Sequence, residues 1–537
     1  MSIQKELMRV LSIYFGADDS CSGPVKNSSA IVDPVELFNN HEKIFKAPLF
    51  RFAYSSFSHG DWSSAEAAAP VEKQLICAVH PGNFPLCYRS VHAFLVQIES
   101  QFFRASSTDV LLNTLLGAFL NDYGTNTFFT LVKEDAIRAL ERIRDDYEAF
   151  KPAEEGSKPD EPALAKNVLG AESLLQRLLG LCLSLPGHTD ALCLIIVNLL
   201  SQFLMLCNER FESISAGKTA GRHFTSFVWL SDSELVQLLQ QYPSYKALQQ
   251  NPLGKKLQTS VNSEQKQEID KETKQLHQKQ RAIEERIFPV DHELSNVRII
   301  PSLKNLGTLA CLAYSLEWFF NKNHKDHLER FLPSTALLTQ KYTKKIFDLL
   351  SQLKDLSRNC LLLLKLEIRS QCYFYLLTAL KKGNYNLEED PIQPEANISK
   401  WNEVLCSTEE MCSSRLTAVY KRFLFTELEL LTNDLLIHKV NLISSINPRG
   451  VVLMCRNIYA LKQNLINLGI NGTELTQSLT YYELLNRPVQ GIVDERIKGK
   501  NSLFNADQIV QILKLIERSY HIGSDIIAKE LARLNAD

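Results

Sequence analysis

The sequence predicts an all-α chain of helical bundles strung end to end, and three observations carry that expectation. Apolar residues recur at three-and-four spacing in one segment after another. Glycine (21) and proline (19) each supply about 4% of 537 residues, below their usual levels near 7% and 5%. No segment alternates apolar and polar residues between hairpin turns, and no repeat stands out at the 34 or ~40 residue periods of helical solenoids.

A chain this long exceeds the usual ~100 to 200 residues of one domain, so several cores are expected. Residues 1–70 read as an irregular, partly disordered segment, because GADDSCSGPVKNSS and SSAEAAAP are small, polar and turn-rich. Residues 71–150 read as a helical bundle, with Ile137, Leu140 and Ile143 on one face of its last helix. KPAEEGSKPDEP, from Lys151, is acidic, contains proline and lacks an apolar face. The stretch 151–168 is therefore expected to be an exposed, poorly ordered linker.

Residues 169–261 read as a second bundle, in which the short loop PGHTD joins two antiparallel helices and Thr189 or Asp190 caps the second. That helix contains ALCLIIVNLLSQFLMLC at 191–207, which is short of the ~20 residues a membrane span needs. It also carries Asn198, Ser201 and Gln202, and it reads as a buried bundle helix. Residues 262–286, NSEQKQEIDKETKQLHQKQRAIEER, mix charges of both signs with too few apolar residues for a core face. They are expected to form a charged linker or an exposed helix.

Residues 287–390 read as a third bundle around CLLLLKLEIRSQCYFYLLTALKKG, with Lys381 and Lys382 at the negative helix end and Gly383 as cap. Arg369 lies there on the stripe Leu362, Leu366, Tyr373, Leu376 and Leu380. A guanidinium on such a face is costly unless it is paired. Glu317 is a candidate partner, since Ala310 and Ala313 beside it let another helix approach; another carboxylate, or solvent reached along the arginine stem, are the readings it competes with. Residues 391–537 read as a C-terminal bundle. Its clearest helix has Asn447 as N-cap and Pro448 at the first helical position, and carries the stripe Val451, Met454, Ile458, Leu461, Leu465 and Leu468 up to Gly469 or Gly472.

Composition narrows the function. Lys plus Arg (59) nearly balance Asp plus Glu (61), giving a formal charge of −2, so no global field draws the chain to nucleic acid or anionic lipid. The twelve cysteines form no C-x-x-C pair and sit mostly in apolar runs, as reduced core thiols of a cytosolic protein do. The N-terminus is a poor signal peptide, and the sequons at Asn27, Asn397 and Asn471 read as chance matches.

Catalytic and metal motifs fail on inspection. Gly217-Lys218-Thr219 resembles the end of a phosphate loop, but its first glycine would fall on Glu212, inside a helical run. His324, Asp326, His327 and Glu329 offer metal-type spacing without a third ligand, and read as a solvated helix face. Cys406 and Cys412, with Glu409 and Glu410 between them, lack a nearby histidine. No catalytic, cofactor-binding or metal-binding residue is assigned, and no cofactor is expected.

Several blocks in the second half resemble exocyst complex component 4, the Sec-eight family. In order they are VWLSDSELVQLLQQYPSY from Val228, LACLAYSLEWFF from Leu309, NCLLLLKLEIRSQCYFYLLTALKKGNYN from Asn359, MCRNIYALKQNL from Met454 and YYELL from Tyr481. A fainter likeness reaches back to Val71. The resemblance implies an elongated rod of stacked helical bundles, a scaffold without catalytic residues that assembles with other exocyst subunits and tethers secretory vesicles to the plasma membrane. It also implies a cytoplasmic location, peripheral at docking sites, with indirect membrane contact, no nucleic acid and no small-molecule substrate. The likeness is to the C-terminal half, because no sustained heptad matching the family's coiled-coil region precedes Val71. The alternative is a cytosolic helical adaptor binding a small GTPase or membrane lipid outside the exocyst; an unrecognised helical enzyme stands third.

Overall fold

The computed structural model describes residues 2–16, 80–102, 114–146, 148–153, 161–216, 223–250, 263–287, 297–332, 337–497, 503–520 and 524–535. These are helical almost throughout, as the apolar spacing requires, and the pairing of extended backbone among them is one isolated bridge, Pro152 to Ala165. Most of the segment read as irregular, 17–79, lies outside the described residues, as do 154–160 and Lys218. Ser2–Phe15, however, is a helix. Leu11 and Phe15 bury one side of it, an apolar stripe that the turn-rich residues downstream had overshadowed.

The chain packs into two compact units, neither continuous in sequence. One comprises Met1–Glu141, Leu174–Leu199 and Asp326–Ile346, and the other Arg142–Ser173, Leu200–Lys325 and Phe347–Asp537. The first unit centres on aromatic rings. Phe15 lies 5.0 Å from Tyr123, Phe84 5.1 Å from Phe128, and His188 5.1 Å from Phe129 and 5.3 Å from Tyr88 between ring centroids. The Tyr123 hydroxyl donates to the Phe15 carbonyl at 2.8 Å, so this polar tip is satisfied inside the cluster. Burial, with the neighbouring His92 second, lowers the His188 pKa to about 4, which keeps the imidazole neutral.

The second unit is organised by the long helix Leu337–Lys382, from Phe347 onward, and by Leu303–Lys322, which is buried without a break from Leu306 to Glu317. The long helix stops where expected: Gly383 N–H donates to Ala379 O at 2.9 Å, and a Cβ there would sit 2.4 Å from that oxygen. Pro448–Asn467 begins as read, with Asn447 Oδ1 accepting from Gly450 N–H at 2.8 Å, and Gly469 follows at φ +80°. The apolar segment at 191–207 lies in Thr189–Ser215, a helix long and apolar enough to cross a membrane. Its most apolar window is 61% buried within the fold.

The acidic linker is folded at both ends. Ala153 N–H donates to Leu164 O at 2.8 Å, Lys166 N–H to Lys151 O at 3.1 Å, and Ala165 N–H to Ser315 Oγ at 2.9 Å. Ala165, Asn167 and Val168 are buried. The expectation of an exposed, loosely ordered 151–168 is therefore corrected for its flanks, where backbone pairing replaces the missing apolar face.

Candidate functional site

The chemistry-bearing side chains of the second unit converge on the long helix. Lys365, Glu367 and Arg369 lie within an apolar run and are at most 2% exposed. Each is matched by a group brought from elsewhere in the chain.

Arg369 Nε and Nη2 donate to the two carboxylate oxygens of Glu284, at 2.7 and 2.9 Å. Tyr373 donates its hydroxyl to the same carboxylate at 3.1 Å and Gln280 its amide at 2.7 Å, while Tyr242 donates to Gln280 Oε1 at 2.7 Å. The forked guanidinium thus meets a carboxylate that accepts four hydrogen bonds, the geometry that offsets desolvation best. Burial alone would depress Arg369, but the Glu284 charge raises it above the ordinary guanidinium value.

Lys365 Nζ donates to Phe423 O at 2.6 Å and to the Glu427 carboxylate, and lies 4.4 Å from the centre of the Phe423 ring. Burial pulls its pKa down, against the opposing pull of Glu427. Glu367 accepts from Ser226 Oγ at 2.6 Å, Ile300 N–H at 2.7 Å and Gln371 Nε2 at 2.9 Å. Burial raises this carboxyl, and those donors oppose the rise.

Glu284 comes from Ser263–Ile287, the segment read as having no core face. Leu276, His277, Gln280, Ile283 and Glu284 are all buried, so this helix does have a core face, three of these five residues being polar. The candidate Arg369–Glu317 pair is not formed; Arg369 meets another carboxylate, Glu284. Glu317 instead lies 3.5 Å from Lys354 and accepts from Asn321. The argument from small residues still holds for the helices: Ser357 Oγ donates to Ala313 O at 2.6 Å, so the long helix does approach there, about three turns before Arg369. Beside it, Tyr245, Glu317, Lys354, Arg358 and Tyr420 line a cavity of about 30 Å³, room for about one water.

The other sequence candidates separate. His324 Nδ1 lies 3.0 Å from Asn321 O, and His327 Nε2 3.2 Å from the Gln176 amide. Cys406 Sγ donates to Asn464 Oδ1 at 3.0 Å, Glu409 pairs with Lys421 at 3.2 Å, and burial pushes the Cys412 thiol up to about 12. Among the described residues no group of three or more His, Cys, Asp and Glu assembles around a common point. Glu212, where a phosphate loop would need glycine, lies in the Thr189–Ser215 helix.

Sequence reasoning missed Lys365, Glu367 and Glu427, although a signal existed: a charge in a helix that is apolar on both long sides has nowhere to go but inward. For Glu284 the signal was the three- and four-residue spacing of Leu276, Gln280, Ile283 and Ile287. The layer holds helices in register. Two of its charges pair with opposite charges and Glu367 accepts from three neutral donors, contacts that tie the long helix to its neighbours.

Fold and buried layer together define an all-α packing protein, and the relatives it resembles are exocyst subunits. The subunit those relatives have in common is exocyst complex component 4. The chain is 24% identical to that of Drosophila melanogaster over 482 residues, 84% of this chain and 48% of that protein. It is 22% identical to that of Homo sapiens, over 83% of this chain and 46% of that one. A stretch of 123 residues, 23% of this chain, is 41% identical to that of Dictyostelium discoideum. The chain thus spans about half the length of the animal relatives it matches. No protein-family profile matches it. Among solved structures, the C-terminal domain of the exocyst subunit Sec6p aligns with 80% of this chain and 93% of its own length, at 12% identity and a TM-score of 0.33.

Proposed function

We propose that the chain is a non-catalytic scaffold subunit of the exocyst, which tethers secretory vesicles to the plasma membrane. The observation that carries this is likeness to exocyst complex component 4 across more than four-fifths of the chain. The buried ionic layer supports it, because its charged groups are consumed in holding helices together. In this reading the partners are other exocyst subunits, contact with the membrane is indirect through the complex, and the chain works in the cytoplasm at docking sites.

The test is affinity purification of the tagged chain from its own cells, with the co-purifying chains identified and quantified. Other exocyst subunits at near-stoichiometric yield are expected. A folded chain that brings down none of them, and instead a small GTPase or lipid vesicles, overturns the reading.

A further inference from the structure

Pro448–Asn467 is apolar on two sides. Val451, Met454, Ile458, Leu461 and Leu465 are buried, whereas Val452, Tyr459 and Ile466 are 49%, 57% and 43% exposed. Seven-residue spacing keeps the exposed three within about 40° of one another and spreads them over about 21 Å, so they form a straight stripe. Cations flank it, Arg449 and Arg456 on one side and Lys462 on the other, and the helix contains neither Asp nor Glu. Arg449 reaches Asp390 at 3.2 Å, but Arg456 donates to Ile392 O and Lys462 to Thr476 Oγ1 at 3.1 Å, both neutral oxygens.

Ile392 extends the patch and is 86% exposed. It is not loosely held: Arg456 bonds its carbonyl, Glu395 N–H donates to Asn457 Oδ1 at 2.8 Å, and Pro391 and Pro394 flank it. An isoleucine fixed in water next to an apolar stripe is a feature of a contact surface.

We propose that this face receives an acidic amphipathic helix from a partner protein. The partner's apolar residues, seven apart, lie along Val452, Tyr459 and Ile466, and its flanking carboxylates meet Arg456 and Lys462. Tyrosine and arginine are the side chains that most often dominate such contacts, and helix-in-groove docking reads out this spacing. An anionic membrane fits less well, because a broad headgroup surface also meets the exposed Glu388, Glu389 and Asp390 at the Arg449 end, whereas a single helix needs its carboxylates only at Arg456 and Lys462. A second copy fits less well too, since stripe-to-stripe pairing brings cations against cations.

The test uses the purified full chain and a fluorescent helical peptide of about 21 residues, with leucine at seven-residue spacing and glutamate on its flanks. The comparisons are the same peptide with lysine flanks, vesicles containing about one-third phosphatidylserine, and sedimentation of the chain alone. Binding of the glutamate peptide is expected, weakened about tenfold or more by Tyr459→Asp and separately by Arg456→Glu with Lys462→Glu. The charge-reversed chain should instead gain the lysine peptide. Circular dichroism confirms that these surface variants stay folded. Equal binding of both peptides, no binding of the glutamate peptide, or vesicle binding or self-association lost with the same substitutions overturns the proposal.

Discussion

At position 369 a guanidinium sits where helical spacing puts it, among buried leucines, and its stability depends on one carboxylate. Removing either partner leaves a buried charge, a loss of about 3 to 5 kcal/mol, whereas replacing both with apolar groups of similar size is far milder. Glu284→Ala is therefore expected to cost several kcal/mol in urea unfolding, and Glu284→Leu with Arg369→Met much less. Equal losses would show that the pair does not carry the coupling. His188 gives the pH counterpart in the aromatic cluster. Its folded pKa, about 4, lies below the unfolded value near 6.5. The folded state then binds fewer protons between those limits, so stability is full above about pH 6.5 and falls by about 3 kcal/mol as pH drops toward 4. Thermal melts across that window should show the loss, and His188→Phe should flatten it; an unchanged slope in the variant would rule His188 out as its source. The sequence announced that Arg369 must be paired, but not with what, because a partner close in space can be 85 residues away in the chain.

Elements were legible where one face was apolar and misread where the buried face was polar. The stripe of Pro448–Asn467 and its caps matched the structure because hydrophobic period and cap chemistry both act within a few residues. Ser263–Ile287 escaped because period analysis counts apolar residues, while this helix buries His277, Gln280 and Glu284 through hydrogen bonds. His277 lies 3.2 Å and Arg281 3.0 Å from Asp434, adding a partly exposed tier beside the buried one. Hydrogen exchange should accordingly be graded along this helix. Amides from Leu276 to Glu284 are expected to exchange slowly, and those of the exposed stretch Lys271–Gln275 much faster. Uniformly fast exchange would restore the linker reading.

On the scale of the whole molecule, composition marked a break after Phe150, yet the seams between the two compact units fall inside helices. Arg142 lies in Phe129–Asp145, Leu174 in Lys166–Ser184, Leu200 in Thr189–Ser215 and Phe347 in the long helix. Periodicity tells which face of a helix is buried but not which distant helix covers it, so a discontinuous unit leaves no local mark. This makes the acidic linker a poor place to divide the chain. A fragment ending at Phe150 keeps Phe84, Tyr88 and Phe129 but loses His188, which packs against all three, and loses the buried Leu192, Ile195, Ile196 and Leu199 of the same unit. Burying one such side chain is worth about 1.5 to 3 kcal/mol, while a whole domain is stable by only about 5 to 15. Residues 1–150 expressed alone are therefore expected to retain helix without cooperative unfolding or dispersed methyl resonances, and to recover both when co-expressed with residues 161–537. A sharp melting transition from the isolated fragment would show that its own helices close the aromatic core without the returning segment.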